Sequence, residues 1–429
     1  WEFSIRRGVY WHGTETEVSA YDVKHTLDRI MNEETIYTPA VKRTVSSYDI
    51  IDLYRISITP VEKGMDILYA LNFPIVSQTY GATALENGNM PKGTGPYMLD
   101  LLDSKDEKKR LTMKVNHSWR KLKPNITSIV AVEVADEAEA MQLFAQGELD
   151  VVPLFSQFSG WYKHFGPNRI HSYQVSDYEY IVPNMSRAVM ADIAVRKAIA
   201  YGIDTRNVIS RAYTGYGVSS DLPIIPNSWL NTNKKISYDH NPVLAGELLE
   251  GSGWKDTDGD GFVDKNGAKL SFELIVNKND DDFSRYNAAL CIAEDMKSIG
   301  IEVIISQLPN EEFMARLASG NFDAALIGSN IGSFPYFEGF FGSPGLEKNG
   351  YSFSREAEIL NVLKEIRDEE EYKLKVKELQ DILLDEMPFI GLYFRTDLLI
   401  YSSDLYVVPQ MNEGDIYKAI NEWFFIKAD

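Results

Sequence analysis

Cysteine is nearly absent: Cys291 stands alone in 429 residues. One thiol excludes an intrachain disulfide, and a chain of this length buries enough core to need no such staple. Histidine is sparse as well. His12, His25, His117, His164, His171 and His240 are scattered without metal-ligand spacing, which argues against a histidine-rich metal centre. Basic residues are outnumbered, 43 Lys and Arg against 63 Asp and Glu, for a net charge of −20. That balance argues against nucleic acid as a partner, because phosphate recognition needs clustered positive charge. No apolar run approaches a membrane span. No G-x-S-x-G nucleophile, H-E-x-x-H zinc helix or G-K-[ST] phosphate loop occurs, so no motif supports an enzyme and no cofactor is expected. A leader-like start is missing too. The chain opens directly on WEFSIRRGVYWHGT, where Phe3, Ile5, Arg7 and Val9 alternate with Glu2, Ser4, Arg6 and Gly8. This predicts a strand, in a chain that has lost its leader and first strands.

What is present is ordinary globular composition, 44% hydrophobic and 25% charged, at a length that suggests two or three domains. Ser19 precedes AYDVKHTLDRIMN, whose Val23, Thr26, Leu27 and Ile30 fall at helical spacing. Ala138, Met141, Leu143 and Phe144 give a second helix face, stopped by Gly147. From residue 270 the pattern alternates. LSFELIV predicts a strand, and Ala289, Ile292, Ala293 and Met296 a helix ended by Gly300. IEVIIS predicts a strand, EEFMARLASG a short helix and FDAALIG a third strand. Such alternation gives a parallel α/β sheet with helices on its faces. Two more helices follow, one carrying Ile359, Leu363 and Ile366, the next Val376, Leu379, Ile382 and Leu383. The run Glu369–Glu371 reads as the solvated junction between them.

DTDGDGFVD at 256–264 has the look of a metal site. Asp256, Asp258, Asp260 and Asp264 take positions 1, 3, 5 and 9 of an EF-hand-type loop. Position 12 is Gly267, not the bidentate Glu of a tight calcium site, and a strand follows where a helix belongs. The turn reads as acidic side chains bonding their own backbone, with no metal expected.

Five stretches occur together in order. Asn184 is followed by Asp192, Val195, Arg196, Ala198, Ile199, Tyr201, Ile203 and Asp204 in a D-x-x-V-R-x-A-[IL]-x-Y-x-I-D helix, then by Gly215, Gly217, Pro223 and Pro226. The start resembles W-x-F-x-L-R-x-G-V-x-F-H-D-G, except that Gly13 follows His12 where Asp is usual. GTGPY lies at 93–97, Trp119, Lys123 and Pro124 resemble N-x-x-Y-W-x-x-K-P with one residue more between Trp and Lys, and GELD lies at 147–150. This set resembles the extracytoplasmic solute-binding proteins of family 5, the peptide- and nickel-binding components of ABC importers. The resemblance implies a class II periplasmic-binding-protein fold: two α/β lobes with a hinge and a central cleft, plus a small accessory α/β domain. It places the accessory domain at 1–92, lobe I at 93–183, lobe II at 184–390 and a return to lobe I at 391–429. Arg196 and Asp204 read as structural, and His12 as a turn residue.

The implied function is capture of an oligopeptide or related small solute by a monomer outside the cytoplasm, free or held by a lipid anchor, with delivery to an ABC permease. The alternatives are a peptide-signal receptor on the same fold, and a calcium-dependent surface module or enzyme built on the acidic turn. The expected ligand-binding residues are Tyr80, Asn184, Ser329, Asn330, Ile331, Gly332, Phe334, Tyr393 and Arg395. The loop 328–334 follows a parallel strand, where open α/β sheets bind ligands. In peptide-binding relatives it reads G-W-x-x-D, with Trp stacking on the ligand and Asp meeting its ammonium. Here Ser329 replaces Trp, and the Asp position falls on Gly332 or Ser333. An ammonium buried without a counter-charge is costly, so either the solute differs or another carboxylate, Glu338 or one from a different loop, takes that role. Arg395 faces either a ligand carboxylate or Asp397. Tyr80 either closes over the ligand or fills core.

Overall fold

A computed structural model describes residues 1–81, 90–103, 108–155, 168–232, 235–279, 282–332 and 334–426. The chain divides into two compact units. The first comprises Trp1–Val152, Phe165–His171 and Leu399–Asp429, the second Pro153–His164 and Ser172–Leu398.

In the first unit, β1 (Glu2–Ser4), β2 (Val45–Asp52) and β3 (Arg55–Pro60) form an antiparallel sheet in the order β1-β3-β2. Helix α1 (Ala20–Asn32) packs Val23, Leu27 and Ile30 on Ile56 and Ile58. The strand expected from the opening alternation stops at Ser4, and the chain then turns through Gly8 at φ 71° and Gly13 at φ 63°. His12 pins that turn. Its Nδ1 accepts the Gly93 N–H at 3.2 Å and its Nε2 donates to the Gly95 carbonyl at 3.0 Å, so one neutral ring ties the His12 turn to GTGPY. Burial lowers its pKa, as does Lys92, against the opposing Gly95 bond. A second antiparallel sheet follows, β4 (Tyr97–Asp103), β5 (Arg110–Val115) and β6 (Ser128–Val132). Helix α2 (Glu137–Ala145) starts where the Asp136 carboxylate accepts the Glu139 N–H at 2.8 Å.

The boundary between the units falls inside three strands: β7 (Val151–Leu154), β8 (Asn168–Pro183) and a long strand near the C-terminus. In the second unit, α3 (Ile193–Gly202) and α4 (Thr205–Ala212) are capped by the Asp192 and Asp204 carboxylates. A short strand β9 (Gly217–Ser219) leads on. The predicted alternation is then found: β10 (Ser271–Asn277), α5 (Ser284–Ser298), β11 (Glu302–Leu308), α6 (Asn310–Ser319) and β12 (Ala324–Asn330), with β10 parallel to both β11 and β12. Beyond β12 the sheet turns antiparallel. Strand β8 pairs with β12, and β13 (Ile390–Ser402) lies beside β8 and takes β9 on its other edge. Ala288, Ala289, Ile292 and Met296 of α5 pack on Phe272, Leu274 and Val276 of β10 and on Ala324 and Leu326 of β12. Helices α7 (Ser354–Leu363) and α8 (Glu369–Glu386) complete the unit. Glu369–Glu371 form the first turn of α8 rather than a junction, because the Asp368 carboxylate caps the helix by accepting the Glu371 N–H, and acids suit that positive end.

Candidate functional site

The carboxyl ends of β10 and β12 carry the polar cluster of the second unit. Antiparallel register sets Gly328 opposite Glu179, Ser329 opposite Tyr178 and Asn330 opposite Asp177. Period-2 alternation then sorts the side chains by face. On one face Glu179, 2% exposed, meets Arg285 of α5 in a two-pronged pair: Nη2 to Oε1 at 2.7 Å and Nε to Oε2 at 2.9 Å. Arg285 also donates through Nη1 to Asn277 Oδ1 at 2.6 Å. Burial opposes the Arg285 charge, but Glu179 outweighs it and the pKa rises. The undisturbed pair leaves no room for a side chain beside it. A Cβ on Gly328 would lie 2.5 Å from Arg285 Nη2 and 2.6 Å from Glu179 Oε1.

On the other face lies an aromatic layer. The Ser329 hydroxyl shares a hydrogen bond with the Tyr180 hydroxyl at 2.9 Å, and Tyr178 stacks on Tyr180 at 5.4 Å. Phe340 sits 5.1 Å from Tyr180, and Phe394 4.9 Å from Tyr178. Burial pushes Tyr180 up to about 12, so it stays a neutral hydroxyl.

Asn330 organises the loop. Its Nδ2 donates to Asp177 Oδ1 at 3.0 Å and its Oδ1 accepts the Gly332 N–H at 3.1 Å. Gly332 has φ 67°, a conformation that favours glycine. Ile331 is buried, with its N–H on the Ser176 carbonyl at 3.0 Å. Phe334 turns away to meet Tyr372 of α8 at 5.6 Å. Ser333 lies outside the described residues. On β13, Tyr393 is fully buried against Tyr213 at 5.1 Å. The Arg395 guanidinium lies 5.8 Å above the same Tyr213 ring. Burial works against the Arg395 charge, but Tyr213, Glu179, Asp177 and Asp282 outweigh it and raise the pKa.

Ser329, Asn330, Ile331 and Gly332 therefore share one corner with Asp177, and Tyr393 and Arg395 share Tyr213. Asn184 does not join them. Its Nδ2 donates to the Gly320 and Phe322 carbonyls at 2.9 and 2.8 Å, at the opposite end of β12, where it braces the strand's entry. Tyr80 belongs to the first unit, where Lys92 Nζ stands 4.7 Å from its ring. Arg196 is structural, as expected: its guanidinium donates to the carbonyls of Met190, Ala191, Glu386 and Met387, closing two helix ends.

The acidic turn bonds itself. Asp256 accepts the Gly259 and Gly261 N–H groups at 2.7 and 3.0 Å, Asp258 accepts Asp260 N–H at 3.1 Å, and Asp260 accepts Phe262 N–H at 2.9 Å. Asp260 also pairs with Lys269 at 2.7 Å, while Asp264 is held by Thr257. These are the backbone-bonding turns expected from the sequence.

Glu179, Arg285 and Asp177 escaped the sequence reading, and Gly328 entered it only as the first residue of the loop. One signal was available. Arg285 falls in the inward stripe of α5 with Ala288, Ala289 and Ile292, where a charge needs a buried partner.

A family model described as bacterial extracellular solute-binding proteins, family 5 Middle, matches residues 1–349. The oligopeptide-binding protein AppA of Bacillus subtilis (strain 168) is 24% identical over 350 residues, 80% of this chain and 63% of the relative. The nickel-binding periplasmic protein of Escherichia coli (strain K12) is 27% identical over 243 residues, 54% of this chain and 44% of that one. These alignments span less than two thirds of each relative. Among solved structures, an ABC transporter substrate-binding protein from Sinorhizobium meliloti superposes with TM-score 0.81 at 18% identity, covering 99% of this chain and 88% of that one. NikA from Brucella suis in complex with Fe(III)-EDTA gives TM-score 0.75 at 19% identity, covering 99% and 88%. The α/β fold is thus the class II periplasmic-binding-protein fold, and the chain belongs to the bacterial extracellular solute-binding proteins of family 5.

Proposed function

We propose that this chain is the extracytoplasmic substrate-binding protein of an ABC importer, capturing an oligopeptide or related small solute and releasing it unaltered to a membrane permease. The family supports the general role, and relatives named for oligopeptides, dipeptides and nickel support the breadth of solute. The observation that carries the reading is the corner at the ends of β10 and β12. Asp177, Asn330 and Arg395 surround an already neutralised Glu179–Arg285 pair. A polar set fixed on rigid strands, with its strongest charges internally cancelled, suits recognition rather than turnover.

Asp177 answers the missing loop Asp. It comes from β8, and Asn330 holds it beside Gly332. In this reading the protein works as a monomer outside the cytoplasm, and ligand acts by binding one conformation better than another. Among the described residues no helix is long and apolar enough to cross a membrane.

Native mass spectrometry of freshly purified protein is the test. A copurifying small molecule, lost in Asp177→Ala and Arg395→Ala, supports the proposal. Small-angle scattering that stays unchanged across broad peptide and metal-chelate panels, with nothing copurifying, overturns it.

A further inference from the structure

A cavity of about 730 Å³ opens in the second unit at the outer end of β9. Three stretches make its wall: 219–222, the loop 226–232 with Lys235 and Ile236, and Lys373 in the first turns of α8. The volume is that of a small-molecule site. None of the residues expected from the sequence to bind ligand lines it, although Ser219 is paired in register with Tyr393.

Its charge is unusual for this protein. Lys375 and Lys377, further along α8, each hold an acid at 2.7 and 2.6 Å, and Lys364 holds Glu338 at 2.7 Å. Lys235 and Lys373 hold none among the described residues, and both line the cavity. In a chain of net charge −20, two lysines without an acid partner thus line one space. The acid in the wall, Asp221, forms no ion pair with either lysine among the described residues. The Asp221 carboxylate is turned inward and accepts the Ser237 N–H. Burial also pushes its pKa up to about 6.

The remaining wall favours a flat body. Trp229 is half-buried and leans on Tyr372, ring centroids 6.2 Å apart, so the indole is propped from behind. Thr232 has spent its hydroxyl on Gln380. Asn227 and Ser228 complete the wall.

We propose that this cavity binds a small organic oxyanion, a carboxylate or phosphate carried on a flat ring, with Lys235 and Lys373 as its counter-charges and Trp229 as the stacking wall. The site is built from one unit and does not depend on the importer reading.

The test uses calorimetric titration of the full chain at fixed ionic strength with benzoate, phenyl phosphate, inorganic phosphate and neutral benzamide. Phenyl phosphate or benzoate binds and benzamide does not; the stronger of the two acids identifies the headgroup. The Lys235→Met/Lys373→Met double variant weakens that binding by at least about tenfold, the scale of lost charge-assisted hydrogen bonds. Trp229→Ala weakens the ring-bearing acids but not inorganic phosphate. Its urea midpoint and that of the double variant, measured without ligand, show that both remain folded. Independently, phenyl phosphate protects Lys373 from reductive methylation in the unmutated chain. Binding of benzamide equal to the acids, equal affinity in the double variant, or no binding and no protection with either acid overturns the proposal. Retention of a copurifying solute by the double variant leaves the importer reading standing, whatever happens here.

Discussion

The second unit spends acidic charge in two opposite ways. Glu179 is buried, meets one guanidinium through both oxygens, and would have to shift to admit a side chain at Gly328. Asp256, Asp258 and Asp260 are exposed, lie with oxygens within 4.8 Å of one another, and accept backbone N–H groups of their own turn. The second group looks like chemistry in one dimension, the first like nothing. Burial explains the inversion. Water screens the exposed carboxylates, so their spacing costs little. Glu179 has no such relief, so partner, neighbour and strand register must all be specified.

The comparison breaks most sharply at Glu179. Glu179→Ala strands the Arg285 cation and is expected to cost about 3–5 kcal/mol, read from urea unfolding. A loss below 1 kcal/mol, the surface-pair range, would place the pair on the same footing as the turn. Gly328→Ala comes next. Its new Cβ drives into both partners, at an expected cost of about 1–3 kcal/mol, and Glu179→Ala in the same chain should recover part of that loss.

A third measurement extends the contrast to a titrating group. His12 accepts a backbone N–H and sits in a site that lowers its pKa below the ordinary 6.5. The unfolded chain therefore takes up a proton first as pH falls, and the His12 contribution, present above about 6.5, is lost below it. Melting temperature followed from pH 7.5 to 5 should drop, and His12→Asn should flatten that part of the curve. The smallest effect is expected at the turn. Asp258→Asn should leave the melting temperature within about 1 °C, and added calcium should not raise it in either chain. A calcium-dependent rise would turn the exposed group into the functional one.

The fold was legible where period and punctuation agreed. Strands β10 to β12 are short apolar runs, and the helices between them carry apolar stripes at helical spacing and end at Gly300 and Gly320; local signals of that kind survive without tertiary knowledge. The first strand was overread because its alternation continued past Ser4, while Gly8 had already turned the backbone. The site was half legible. The loop after β12 follows from the rule that parallel sheets bind at their carboxyl ends, which brought Ser329 and Asn330 forward. Asp177 and Glu179 were not, because they arrive on an antiparallel strand about 150 residues earlier, set by a long-range register no local pattern encodes. Asn184 was carried by its motif and proves to fasten the far end of β12.

Gly328 has a consequence for how this surface changes over time. A larger residue there is admissible once both charges have gone, and neither charge can go alone without leaving the other stranded. Positions 179, 285 and 328 are therefore expected to change as one block. In any lineage that has replaced the glycine, the glutamate and arginine should be missing together.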